Sequence, residues 1–147
     1  MSTISLIGRE NADGTVTAIY CHWDGHPEHN GRILVNHYQD EEKISALLAL
    51  GSLSILGPEI GEQTDCDKFD AKASTQCLAY GRDRGHPGHA ACTYLGMTTL
   101  AHVDGGQRYV YVWSAGAWWA HRVGCYLDDG FTPRWEQLTA ENVALMG

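Results

Sequence analysis

Ile4-Ser5-Leu6-Ile7-Gly8-Arg9-Glu10-Asn11-Ala12-Asp13-Gly14-Thr15-Val16-Thr17-Ala18-Ile19-Tyr20-Cys21-His22-Trp23-Asp24 places two β-prone runs around a turn signal. Ile4 to Ile7 reads as one strand, Asn11-Ala12-Asp13-Gly14 as the turn, and residues 15–23 as the return strand. Strand side chains alternate, so Ile19, Cys21 and Trp23 share one face while Tyr20, His22 and Asp24 share the other. One face has the composition of a core and the other that of a chemical surface. Gly25 and Pro27 end the strand.

Working outward, Asn30 is placed to cap a helix over residues 30–38, and Asp40 to cap the next. Glu41 and Glu42 then lie at the positive end of that second helix, Ile44, Leu47 and Leu48 form its apolar stripe, and Gly51 closes it. Residues 57–76 lack periodicity and read as a long loop. A short strand over 77–80 leads into a loop, Gly81-Arg82-Asp83-Arg84-Gly85, and a further strand is expected within 91–102. Residues 108–123 form the clearest hairpin, turning at Ala115-Gly116. Thr132 and Pro133 have the chemistry of a helix start. The reading is one α+β domain over 1–147: a mainly antiparallel sheet, two short helices after the first hairpin, and a C-terminal helix.

The chain has 147 residues, 44% of them hydrophobic and 19% charged, enough for one core and too apolar for a disordered chain. Its net charge of −8 argues against nucleic-acid partners, which select a basic footprint. No apolar run is long enough to span a bilayer and no signal-peptide plan opens the sequence, which places the expected location in a cytoplasm. The five cysteines are odd in number and irregularly spaced, and read as free thiols. Cys21 and His22 are neighbours on a strand and point to opposite faces, so they do not make a thiolate–imidazole pair.

Several clusters carry chemistry. Gly25-His26-Pro27-Glu28-His29 is echoed by Gly85-His86-Pro87-Gly88-His89. With His22 and Asp24 these offer His26, His86 and His89 as ligands for zinc or manganese in a metal-dependent phosphoesterase, or simply surface histidines. No metal is needed by the other readings. Arg82 and Arg84, flanked by glycines, have the chemistry of a phosphate clamp, with Asp83 as a hydrogen-bond acceptor or an internal neutraliser. In the late hairpin a two-residue turn pairs Trp113 with Trp118, Tyr111 with Ala120 and Tyr109 with Arg122. Those five aromatic and basic groups read as a stacking platform, a set of cross-strand pairs that stabilise the sheet, or a buried oligomer contact; Val110, Val112, Trp119 and His121 read as core.

Tyr20-Cys21-His22-Trp23-Asp24-Gly25 with Pro27, Ala79-Tyr80-Gly81-Arg82-Asp83-Arg84-Gly85, and Tyr111-Val112-Trp113 with Trp118-Trp119 together resemble an uncharacterised family of small bacteriophage and bacterial proteins. Position 26 is more often tyrosine in that pattern, and an acid often follows the arginine loop, where His26 and His86 stand here. The resemblance favours Tyr20, His22, Trp23, Asp24, Arg82, Asp83 and Arg84 as site residues and supplies no catalytic group. It implies a host-cytoplasmic protein that binds a nucleotide-like small molecule, a cyclic nucleotide or ADP-ribose derivative used as a host defence signal. In this reading Trp23, Trp113 or Trp118 stacks on the base and the chain forms a homo-oligomer. The other expectation is a protein-binding inhibitor that uses the aromatic hairpin, with Arg122 at its edge, as an anchor.

Overall fold

The computed structural model describes residues 2–70 and 74–145. Strands β1 (Ser5–Glu10) and β2 (Val16–Cys21) form the expected hairpin, paired antiparallel from Ser5↔Cys21 to Glu10↔Val16. Asp13 Oδ1 accepts both the N–H and the hydroxyl of Thr15, which fixes the turn. Helices α1 (Arg32–His37) and α2 (Glu41–Ala49) follow, then β3 (Leu53–Ile55). Beyond the long loop come β4 (Leu78–Ala79), α3 (Tyr80–Arg84), β5 (Cys92–Tyr94) and α4 (Met97–Ala101). The second hairpin, β6 (Tyr109–Ser114) with β7 (Ala117–Arg122), and the short β8 (Glu136–Gln137) complete the sheet.

The strand order is β4-β3-β2-β1-β6-β7-β8, with β5 also on β2. The sheet is mixed rather than mainly antiparallel: β1 runs parallel to β6, and β2 runs parallel to β3. The N-terminal hairpin occupies only one edge of β1, and the late hairpin docks along the other edge after a long crossover, which permits a parallel approach. The outer edge of β2 is shared. Val16 to Ala18 pair with β5 and Cys21 pairs with β3, so Ile19 and Tyr20 lie between two strand partners.

Both faces of the sheet are covered. Ile7, Ile19, Tyr111, Trp113 and Trp118 pack beneath Leu34, Tyr38, Ile44, Leu47 and Leu48. On the opposite face Leu6, Val16, Val110 and Val112 meet Leu100 of α4, with Met97, Val103 and Trp135 around them. The register of the late hairpin is the expected one, Trp113↔Trp118 and Tyr109↔Arg122, and its turn uses left-handed Ala115 and Gly116. Its aromatic face, however, is interior. Trp118 is 1% exposed and Trp113 5%, and their indole N–H groups donate to Tyr38 O at 2.8 Å and Glu41 Oε1 at 2.9 Å. This face is therefore neither a stacking platform nor an exposed anchor: the helix pair lies on it.

Asp40 caps α2 through the N–H of Glu42, and Gly51 follows it at φ 74°, as the sequence reading expects. Three expectations change. Asn30 is not a cap: the helical chain begins earlier, at a π-helical turn over Pro27–Gly31, and its side chain turns into the interior. Only Cys92–Tyr94 of the 91–102 segment is strand, because Gly96 breaks it and α4 begins at Met97. The C-terminal helix does not form at Thr132: its hydroxyl donates to Asp129 Oδ2, and the chain continues extended into β8 before a short 3-10 turn at Val143–Leu145.

His121 sits fully buried on β7. Its Nδ1 lies 3.0 Å from Arg134 O, and its Nε2 finds no partner among the described residues. Burial lowers its pKa, the Arg134 carbonyl opposes this, and nearby His102 adds to the lowering. The unfolded chain therefore binds this proton more readily than the fold does. His121 should cost nothing above its unfolded value, roughly pH 6.5, and should destabilise the fold as pH falls through that value toward the lower folded one. Urea unfolding of wild type and His121→Phe from pH 8 to pH 5 checks this: the wild type should lose stability relative to the variant on acidification.

Candidate functional site

The site grows from the end of β2. His22 N–H donates to Leu53 O at 3.0 Å and Trp23 N–H to Ser54 O at 3.1 Å, carrying the pairing with β3 past the last strand residue. Asp24 then adopts φ 59°, left-handed backbone that aspartate tolerates better than most residues. Gly25 crosses so close to β1 that a Cβ would lie 2.7 Å from Thr3 O. Asn30, 0% exposed, holds this corner: Nδ2 donates to Ser5 Oγ, Cys21 Sγ and Trp23 O at 3.3, 3.5 and 3.1 Å, and its N–H donates to Asp24 O. Cys21 is enclosed here, and burial pushes its thiol up to about 12, so it is no nucleophile.

The arginine segment is a short helix rather than a loop, and its two arginines diverge. Arg82 turns inward, donating to both carboxylate oxygens of Asp83 at 3.0 and 3.1 Å and to the carbonyls of Cys77, Ile60 and Gly61. The Asp83 side chain is 0% exposed and also accepts the N–H groups of Ala79 and Thr64. Burial raises its pKa, but the Arg82 guanidinium and the two N–H donors outweigh this and hold the carboxyl below its usual value. Arg82 and Asp83 thus form an internal latch that has no donor or acceptor to spare for a ligand. Arg84 is exposed, with its guanidinium 5.4 Å from the Tyr80 ring centroid and Nη2 3.5 Å from Ser54 Oγ.

After left-handed Gly85 the chain doubles back, so that His86 N–H meets Tyr80 O at 3.0 Å. His89 O accepts Ser52 N–H at 2.7 Å. This approach requires glycine at position 51, where a Cβ would sit 2.1 Å from the His89 carbonyl oxygen. Tyr20, His22, Ser52, Tyr80, His86 and His89 thereby line one open hollow of about 520 Å³. Tyr80 stacks on His89 with ring centroids 5.0 Å apart and on His86 at 6.2 Å. The Tyr20 hydroxyl lies 2.6 Å from His22 Nδ1, and burial, then the proximity of Tyr80, raises its pKa, so it stays a neutral phenol.

Trp23 and Asp24 face a different cavity, about 350 Å³, beyond the carboxyl ends of the parallel strands β2 and β3. His22 links the two regions, its ring edge-on to that of Trp23 at 4.7 Å. The Trp23–Asp24 corner and the arginines therefore line no common cavity: Trp23 and Asp24 face one space, while Tyr20 and His22 share the other with Tyr80, His86 and His89. Trp113 and Trp118 belong to the core, and Arg122 is exposed at the end of β7. His26 stands apart, with Nε2 3.0 Å from the Thr3 hydroxyl and its ring 5.8 Å from that of Tyr109.

The expected ligand set for zinc or manganese is split accordingly: His22, His86 and His89 line the hollow, Asp24 the other cavity, and His26 neither. Among the described residues the only close group of three such side chains is Asp65, Cys66 and Asp67, consecutive in the long loop. Tyr80 and Ser52 are the lining residues that sequence reasoning missed. Tyr80 directly precedes Gly81-Arg82, and a helical reading of that segment would have set it beside Arg84 at i, i+4. No described helix is long and apolar enough to cross a membrane.

Truncating Arg82 strands the buried Asp83 carboxylate and the Cys77, Ile60 and Gly61 carbonyls. Arg82→Ala is expected to cost about 3 kcal/mol, as for a broken buried pair, and to lower the melting temperature by roughly 10 °C. Calorimetry checks the loss, which should far exceed that of Arg84→Ala.

Comparison with known proteins returns no matching family model, no matching curated protein and no matching solved structure.

Proposed function

We propose that this chain binds a nucleotide-like small molecule in the hollow lined by Tyr20, His22, Ser52, Tyr80, His86 and His89. The observation that carries the reading is the convergence of Tyr20, His22, Tyr80, His86 and His89 on one hollow, with the exposed Arg84 guanidinium 5.4 Å from the centroid of the Tyr80 ring. Arg84, the histidines and the Ser52 hydroxyl are donors suited to phosphate oxygens. A base would add to the Tyr80–His89 stack. Arg84 takes over the role that the sequence reading shared with Arg82, and Tyr80 takes that of Trp113 or Trp118.

The net charge of −8 slows capture of an anion, while contact with Arg84 acts at short range, where the wider field matters less. The hollow's volume is ample for a mononucleotide or one half of a cyclic dinucleotide. It is open to solvent, and a second copy of the chain would supply the missing wall, in keeping with the proposed homo-oligomer. With the resemblance to small phage proteins, this reading makes the chain a sink for a cyclic nucleotide or ADP-ribose derivative rather than an enzyme.

Titration calorimetry with ADP-ribose and a panel of cyclic dinucleotides tests it. One of these should bind, and Tyr80→Ala and Arg84→Ala should each weaken binding by about tenfold or more, the scale of one stacked base or one charge-assisted contact. Silence across the panel, or unchanged affinity in both variants, counts against the proposal. Native mass spectrometry of the same samples reports subunit number.

A further inference from the structure

The cavity of Trp23 and Asp24 has a different chemistry from the hollow of Tyr80 and the histidines. Its walls are Ile33, Ile55, Leu56 and Pro58, with the 41% exposed Trp23 ring on one side. Among the described residues no lysine or arginine lines it, so none of these walls compensates a phosphate. Its polar groups include Asp24 and His29, with His29 Nε2 3.9 Å from Asp24 Oδ2.

The protonation of His29 follows from Asn30. Trp23 O can only accept, so the Asn30 amide nitrogen must face it, and Asn30 Oδ1 is left facing His29 Nδ1 at 3.0 Å. An amide oxygen only accepts, so His29 carries a proton on Nδ1. In the neutral ring Nε2 then presents a lone pair beside the Asp24 carboxylate. With the ring in that form, two acceptors stand next to each other at the rim of an apolar slot, their side chains 48% and 58% exposed and open to an incoming donor pair. Their complement is a pair of adjacent N–H donors.

We propose that this cavity is a second ligand site that takes a flat, uncharged or cationic heteroaromatic ring bearing two adjacent N–H donors, of which the guanine edge is the common biological example. The ring lies against Trp23 and its ring N–H and exocyclic amino group donate to Asp24 and His29. Asp24 also supplies independent support from its backbone. It holds φ 59° at the rim, a conformation that glycine would adopt at lower cost.

The probe is guanosine, which carries no phosphate, with adenosine as the ring that lacks the adjacent donor pair. In ligand-observed NMR and tryptophan fluorescence titrations guanosine should bind the wild type at least tenfold more tightly than adenosine. Trp23→Ala and Asp24→Asn should each reduce that affinity by tenfold or more. Asparagine tolerates the same left-handed backbone, so an unchanged melting temperature in Asp24→Asn shows that the fold is intact. Asp24→Gly should abolish guanosine binding without lowering the melting temperature. Failure of guanosine to bind, equal affinity for adenosine, or unaltered binding by Asp24→Asn overturns the proposal. Because no phosphate is involved, each of these results leaves the Arg84 reading untouched, and loss of phosphate-dependent binding in Arg84→Ala leaves this one untouched.

Discussion

The buried amide of Asn30 is the constraint on which the remaining architecture turns. One side chain joins β1 through Ser5, the end of β2 through Cys21, the corner through the Trp23 carbonyl, and the preceding residue, His29, through its own oxygen. Each buried donor left without its partner would cost on the order of 1–3 kcal/mol, so the amide admits a single arrangement of these segments. That arrangement brings the chain off β2 with His22 facing one space and Trp23 the other. It also sets the tautomer of His29. A residue that touches neither proposed ligand thus decides the hydrogen-bonding character of a cavity wall.

The Arg82–Asp83 pair plays the corresponding part in the second half of the chain. A guanidinium surrounded by carbonyls and a carboxylate resembles anion recognition in its donor geometry, yet every acceptor belongs to the protein. The latch fastens the long loop to the strand before α3, and so aims the following turn toward the sheet. Arg84, two residues on, then emerges on the other side of the helix with its charge exposed. Identical side chains in one pentapeptide have opposite fates because α3 rotates them by roughly a half-turn.

Local rules made the two hairpins, the register of the later one and the α2 helix legible, since alternation, turn chemistry and capping all act within a few residues. What they do not encode is which face a distant helix covers. The aromatic face of the late hairpin has the composition of a platform and of a core, and only the docking of α1 and α2 decides between them. Asn30 misled for a related reason: the chemistry that caps a helix end also satisfies a buried corner. The C-terminal segment failed at a side chain, Asp129, that captures the Thr132 hydroxyl before it can serve a helix. For the site, the sequence marked Tyr20, His22, Trp23 and Asp24 as chemical residues, but did not show that they divide between two cavities. The replacement of Arg82 by Tyr80 and the histidines was not legible either, because it depends on helical rather than looped backbone at residues 80–84.

The change of partner along β2 has a wider consequence. Between Ala18, where β5 ends its pairing, and Cys21, where β3 begins, no described strand pairs with the outer edge of β2, and His86 and His89 line the hollow beside Tyr20. Neither histidine contributes to an apolar layer. The composition of that segment can therefore drift under selection without taxing foldability, while Gly51 and the latch keep its two ends anchored. Substitutions at this seam would change the surface that the scaffold presents and leave the scaffold itself in place.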